Sequence, residues 1–305
     1  MNTMRTLSSE EIYADWAQML DATGDYRVLR RLKPFEPTPA EEGAATWTGI
    51  VVDTETTGTD SEHDEIIEIA MLRFRYAEDG RIVGAGEAWQ GLRQPSAPIP
   101  AEANAVNGIT DDMVAGQSID PDEVAAFIAS ADLIVAHNAA FDRPFLERFC
   151  PAFEHKPFAC SMSEIDWLGE GHQGLKLGYL ASDHGFFHDR HRALGDCHAT
   201  LALLSQTLRR SGILAMAAIL ERARAPLWRI WAHGAPFDSK DLLKRRGYRW
   251  HDGSSGPEKA WYRDVTDSDR PAEMAYLERE IFGRPADLIQ QSLTAIDRYS
   301  VRALG

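Results

Sequence analysis

Cysteine is scarce. Cys150, Cys160 and Cys197 are the whole complement, an odd number at spacings unlike any CxxC pair, which argues against a disulfide framework or a thiolate zinc site and leaves buried free thiols as the expectation. No stretch approaches the roughly 20 apolar residues needed to span a bilayer. The opening MNTMRTLSSEEIY has no apolar signal core, so no membrane role and a cytoplasmic location are expected. Positive charge is in deficit: 32 Lys and Arg face 47 Asp and Glu, for a formal net charge of −15. That balance argues against a protein that coats nucleic acid non-specifically, which needs a basic surface to displace counterions. A nuclease is not excluded, because carboxylates that hold divalent cations count here as bare negative charge. Fixed-period repeats and low-complexity segments are also lacking.

What is present has three textures. Residues 1–45 read as a helical extension and linker. Ser8 and Glu11 make a capping-box pattern, Ile12, Trp16, Met19 and Leu20 recur at helical spacing as a docking face, and Tyr26, Val28, Leu29 and Leu32 precede the linker PFEPTPAEEGAA. Residues 46–224 read as an α/β domain. TWTGIVVDTE, EIIEIAMLRFRY and RIVGAGEAWQG predict antiparallel strands, LIVAHNA a buried strand, and DEVAAFIASA, FDRPFLERF, KLGYLASDHG and DCHATLALLSQTLRRSG helices, which together imply a mixed sheet with flanking helices. Residues 225–305 read as a small α+β module. In it DLLKRRG is a helix closed by Gly247, YRW and KAWYRDV are strands joined through DGSSGPE, and PAEMAYLEREIFG and DLIQQSLTAIDRYSVRAL are helices.

Asp53 and Glu55 end an apolar strand two residues apart, so the strand's period of two points both carboxylates to one side. Two such acids repel unless a cation sits between them, and a hard divalent cation such as Mg²⁺ or Mn²⁺ takes oxygen ligands. Taken alone, D-x-E is equally a pair of exposed acids. Asp142, in HNAAFD, is by itself a helix-capping acid, and His191 and Asp196, in HRALGD, are by themselves commonplace.

In this order DTETTG, HNAAFD and HRALGD closely resemble the three motifs of the DEDDh family of 3′-5′ exonucleases, to which the proofreading subunit of bacterial replicative polymerase and RNase T belong. The resemblance spans about residues 46–210 and implies an RNase H-like fold. It implies that Asp53, Glu55, Asp142 and Asp196 hold two Mg²⁺ or Mn²⁺ ions and that His191 is the general base for hydrolysing the terminal phosphodiester. It further implies contacts to the 3′-terminal nucleotide by Thr54, Thr56, Thr57, Gly58, Ile109, Asn138 and Phe141. NAVNGIT is similar to a family stretch, with Asn107 where many relatives carry histidine. The implied partners are nucleic-acid 3′ ends, DNA in preference to RNA, and a DNA polymerase or repair complex. The motifs alone leave open an RNA-trimming enzyme and a non-catalytic adaptor on the same fold. A rival for the third motif is a zinc site from His184, His188 and His191, at i, i+4 and i+7.

Between Arg222 and Arg263 ten Lys or Arg face four acids, a local balance of +6 within an acidic chain. Trp228, Trp231, Tyr248, Trp250, Trp261 and Tyr262 are interleaved with them, which suits either phosphate contact with base stacking or a small aromatic core. FDSKDLLKRRGYRW followed by KAWY is similar to modules of the HARP type.

Overall fold

The computed structural model describes residues 8–33, 35, 43–253 and 259–304. Most of the expected linker, and the turn between YRW and KAWYRDV, lie outside them.

Helix α1 (Ser9–Ala22) starts at the expected capping box: Ser8 Oγ accepts from Glu11 N, and Glu11 Oε2 accepts from Ser8 N at 2.8 Å. Trp16, Met19 and Leu20 are exposed, so the docking expected of that face is not made within the described residues. Strand β1 (Arg30–Arg31) follows.

Strands β2 (Thr46–Thr56), β3 (Ile66–Ala77) and β4 (Ile82–Leu92) form the expected antiparallel meander. The chain continues through helices α2 (Ala101–Asn107), α3 (Asp111–Val114) and α4 (Pro121–Ile128), strand β5 (Leu133–Ala136), helix α5 (Ala139–Phe149) and strand β6 (Phe158–Cys160). Parallel β5 and β6 complete a five-stranded sheet in the order β4-β3-β2-β5-β6. Helix α6 (Leu177–Asp183), strand β7 (Phe186–Phe187) and helices α7 (Ala193–Leu204) and α8 (Ala215–Arg224) follow. Strand β7 pairs in parallel with β1, which ties the N-terminal extension to this domain. Helix α7 stops short of the long helix expected from DCHATLALLSQTLRRSG, because the chain turns back on itself and Thr207 bridges to Leu214.

Alternation along β2 sorts its side chains between two cores. Val51 packs with Leu72, Cys197 and Leu201 on the α7 side, while Ile50 and Val52 pack with Met71, Phe145 and Leu146 on the α5 side. The fold is therefore α/β, with helices on both faces of a mixed, RNase H-like sheet.

The C-terminal part has its own antiparallel sheet. Strand β8 (Leu227–Ala232), helix α9 (Lys240–Arg245), strands β9 (Arg249–His251) and β10 (Ala260–Thr266), helix α10 (Arg270–Tyr276) with a π-helical turn at Leu277–Phe282, and strand β11 (Ile289–Leu293) give the order β11-β8-β10-β9. Gly247 closes the DLLKRRG helix at φ 90°, as expected. The helix expected over DLIQQSLTAIDRYSVRAL is instead β11 followed by an irregular segment, because the open edge of β8 recruits Ile289–Leu293 and outweighs local helix propensity.

Residues 295–302 then return to the first sheet. Phe158 N donates to Ala295 O, and the fully buried Arg143 donates to the carbonyls of Ala295, Ile296 and Arg298. Glu147 accepts from Arg143 Nε at 2.7 Å, Ser300 Oγ at 2.6 Å and Arg302 at 3.1 Å. Among the described residues no helix is long and apolar enough to cross a membrane.

Candidate active site

Asp53 and Glu55 continue the Val51 face of β2 toward α7, and the pairing of β2 with β3 shifts register just after Glu55. Thr54, on the opposite face, meets α5. Its backbone N and Oγ1 donate to Asp142 Oδ1 at 3.1 and 2.8 Å. Asp142 lies in the first turn of α5 and Asp196 in the first turn of α7, where each carboxylate also suits the helix dipole. The sheet end thus gathers Asp53, Glu55, Asp142 and Asp196.

His191 completes the set. One ligand atom each from Glu55, His191 and Asp196 falls within 4.8 Å of the others, the one such metal-capable group among the described residues. His191 is exposed and adopts φ 57°; Asn138, at the start of α5, adopts φ 93°. Non-glycine residues rarely take that conformation, and sites of function are where such strain is retained. Asp196 is held by His191 N at 2.9 Å and by the buried His188 Nε2 at 2.6 Å.

The electrostatics are those of crowded carboxylates. Burial, then the charges of Asp142, Asp196, Glu55 and Glu68, pushes Asp53 well above the usual carboxylate range. Glu55 is pushed up to about 8 by burial and then by Asp196, Glu68 and Asp142, with a hydrogen bond from Asn107 opposing the shift. Asp142 rises to about 7 through burial, against the hydrogen bonds from Thr54. Buried carboxylates that raise one another's pKa are a donor set matched to hard divalent cations, so the residues fit the metals that the motifs imply.

Not every expected contact residue faces this cluster. Thr56 Oγ1 donates to Gly58 O at 2.5 Å, and Thr57 Oγ1 donates to Asp64 Oδ1 at 3.2 Å while accepting from Glu65 N at 2.9 Å. The space a side chain would need at Gly58 is taken by the Asp64 carboxylate. Ile109 is fully buried with Ile67 and Val114. Asn138 and Phe141 remain half-buried at the start of α5. Asn107 is buried, its Oδ1 accepting from Ile109 N at 3.0 Å.

The three-histidine zinc site is not formed. His184 stacks on His172 at 5.2 Å and His188 is bound to Asp196, so only His191 joins the metal-capable group. The aromatic stretch after Arg222 mostly makes a core: Trp231, Tyr248, Trp261 and Tyr262 are buried, whereas Trp250 is 51% exposed.

The roles of two residues of the site escaped the sequence reading. Glu68 is fully buried in β3 directly opposite Glu55. An acid inside the apolar run EIIEIAM was the available signal. His188 stood out only through its spacing from His184 and His191, which points to zinc and not to Asp196.

Residues 50–204 match the model of the RNase T exonuclease family. A "DNA polymerase III subunit epsilon-like protein" of Rhodobacter capsulatus is 35% identical over 193 residues, 58% of this chain and 26% of that protein. The DNA polymerase III subunit epsilon of Treponema pallidum is 31% identical over 162 residues, 50% of this chain and 73% of that protein. The chain thus spans about a quarter of the first relative's length and nearly three quarters of the second's. A structure of exonuclease X in complex with 5′ overhanging duplex DNA aligns with a TM-score of 0.43 and 30% identity, covering 56% of this chain and 97% of that one. With the family model matching half of its length, this chain belongs to the RNase T family of 3′-5′ exonucleases, a family of metal-dependent enzymes.

Proposed function

We propose that this protein removes nucleotides from the 3′ end of DNA, hydrolysing the terminal phosphodiester and releasing nucleoside 5′-monophosphates. The observation that carries the proposal is the convergence of Asp53, Glu55, Asp142 and Asp196 with His191 at one sheet end, where burial and the neighbouring acids raise the pKa of Asp53, Glu55 and Asp142. Those four carboxylates would hold two Mg²⁺ or Mn²⁺ ions, which when bound supply charge stabilisation for the attacking and leaving oxygens. His191 is solvent-accessible beside Glu55 and Asp196, which supports the reading that its imidazole takes the proton of the attacking water. Asp196 is kept from turning away by His188. Asn138 and Phe141, half-buried at the start of α5, are the expected contact residues that retain accessible surface beside Asp142.

DNA is preferred over RNA because the two sequence relatives named above are, by their names, a DNA polymerase III subunit and a protein like one. A DNA polymerase or repair complex is the partner that this reading implies. The deciding experiment offers matched 5′-labelled DNA and RNA strands with Mg²⁺ or Mn²⁺. Stepwise shortening of DNA, with 5′-mononucleotides as product, is expected. Faster shortening of RNA would reassign the substrate, and no shortening of either strand would make the fold a binding adaptor.

A further inference from the structure

Resting on that exonuclease reading, we propose that Glu68 is a positioning residue that fixes His191 in place through Arg192 and the first turn of α7. Glu68 stands directly across from Glu55 on β3, where like charges repel, and it is fully buried, where an unpaired carboxylate is costly. Its partners account for its presence. Oε2 accepts from Ala193 N at 3.2 Å, the first residue of α7, and Oε1 accepts from Arg192 Nη2 at 3.2 Å and from Gln90 Nε2 at 2.6 Å. Strands β3 and β4 therefore grip the chain immediately after His191.

His191 needs such a grip. Its φ of 57° is unfavourable for a side chain bearing a Cβ, so the surroundings must hold it there. On one side His191 N donates to Asp196 Oδ2 at 2.9 Å; on the other, Arg192 and Ala193 are tied to Glu68. Arg192 also sets a positive charge against the one acid of the cluster that is not needed for metal. Without Glu68 the hydrogen bonds with Asp196 are, among the described residues, what is left to resist relaxation of the peptide at His191, and the imidazole loses its fixed approach to Glu55 and Asp196. Glu68 touches neither water nor substrate in this scheme.

The test is a double-mutant cycle with a structural readout. Glu68→Gln keeps the volume, can accept from Ala193 N with its amide oxygen and can donate its NH2 to the oxygen of a flipped Gln90 carboxamide, but removes the charge that draws Arg192. On a short DNA strand with Mn²⁺, kcat is expected to fall about 10-fold or more with KM within about twofold. Added to His191→Ala, the same change is expected to cost less than about twofold further, because the base it positions is already gone. Arg192→Ala should reproduce the pattern, and Arg192→Lys should regain part of the rate. Independently of turnover, the His191 ring signals of 13C-histidine-labelled protein, assigned by their loss in His191→Ala, should broaden or shift in Glu68→Gln.

Losses that multiply in the double variant, or a folded Glu68→Gln with wild-type kcat and unchanged His191 signals, overturn the proposal. If Glu68→Gln does not fold, Arg192→Ala, a change at a half-exposed side chain, decides on the same criteria. If the wild-type protein shortens no strand, the exonuclease reading fails instead, and the ring signals still decide whether Glu68 fixes His191.

Discussion

In the C-terminal sheet Glu273 is buried yet accepts from Tyr248 Oη, Arg246 and Arg263, and Asp264 is clamped by Arg229 and Arg249. At the end of the five-stranded sheet, the buried Glu55 and Asp142 and the partly buried Asp53 crowd one another, and the Arg192 guanidinium is engaged with Glu68. Both regions carry buried acids, but arginines supply the counter-charge of those in the C-terminal sheet, whereas Asp142 and Glu55 are held by the neutral side chains of Thr54 and Asn107. Paired acids are part of the framework, and removing one strands its arginines. Unpaired acids are held against their own repulsion by the surrounding fold, and their counter-charge must come from solution.

The contrast is broken most sharply by exchanging the two outcomes. Asp53→Ala is expected to lower metal-dependent turnover by more than about 10³-fold, while the melting temperature without metal holds or rises because a repulsion is relieved. Retention of a tenth of wild-type turnover would remove Asp53 from the metal set. Asp264→Ala should do the reverse. It leaves Arg229, 4% exposed, facing Arg249 without a shared carboxylate, and should cost about 3 kcal/mol of stability. Denaturant melts of the two variants, each without metal, make the comparison.

The strap of residues 295–302 joins the two kinds of region. Arg143, next in sequence to Asp142, spends its guanidinium on Glu147 and on three carbonyls of residues 295–298. A chain cut near Arg224 keeps all five proposed catalytic residues and the Arg143–Glu147 pair, but removes the three carbonyls, Ser300 and Arg302 that complete their hydrogen bonding. Such a cut is expected to lower the melting temperature of the exonuclease sheet and to reduce turnover with it. Full activity and an unchanged melting temperature after the cut would show that the strap is dispensable.

The same contrast predicts a pH dependence. Glu55 titrates near 8 and Asp142 near 7 in the folded chain, above the ordinary values of 4.5 and 3.8. Between about pH 4 and pH 8 the folded state therefore binds more protons than the unfolded one, so metal-free stability should fall as pH rises through that window. Added Mn²⁺ should restore more stability at pH 8 than at pH 5. Melting curves at the two pH values, with Mn²⁺ and with chelator, measure this; a metal-free protein more stable at pH 8 would mean that the acids are not frustrated.

The legible parts of this protein were those fixed locally. Alternation in TWTGIVVDTE placed Asp53 and Glu55 on one face, the Ser8 and Glu11 box started α1, and Gly247 ended α9. The three motifs meet at one sheet end because each sits at a strand end or beside a helix's first turn. What escaped depends on pairing over long sequence separations. Ile289–Leu293 became a strand only because β8 offered an edge. Glu68 needed Gln90 and Arg192 in place before its role could be seen, and the grip of residues 295–302 on Arg143 crosses more than 150 positions. Aromatic interleaving in a basic stretch fitted two readings, and burial favours the core for most of these rings while leaving Trp250 exposed.

The smallest expected effect concerns that basic stretch. Arg229, Arg246, Arg249 and Arg263 are engaged with Asp264 and Glu273, so they are framework charges and are poorly placed to bind phosphate. Lys240 and Lys244, on α9, make no ion pair among the described residues, and Trp250 is exposed in the neighbouring β9. If this module binds a single strand, these residues are the ones able to do so. Every phosphate that a lysine no longer neutralises should lower the log–log salt slope of binding by about 0.7. Lys240→Ala with Lys244→Ala should therefore lower the slope on a long strand by about 1.4 and leave cleavage of a dinucleotide unchanged. Trp250→Ala should weaken binding without changing the slope, because stacking releases no counterions. Arg249→Ala should instead show up mainly in stability, through Asp264. An unchanged slope in the lysine double variant would mean that α9 does not touch phosphate, leaving the acid cluster and its metals as the principal hold on the strand.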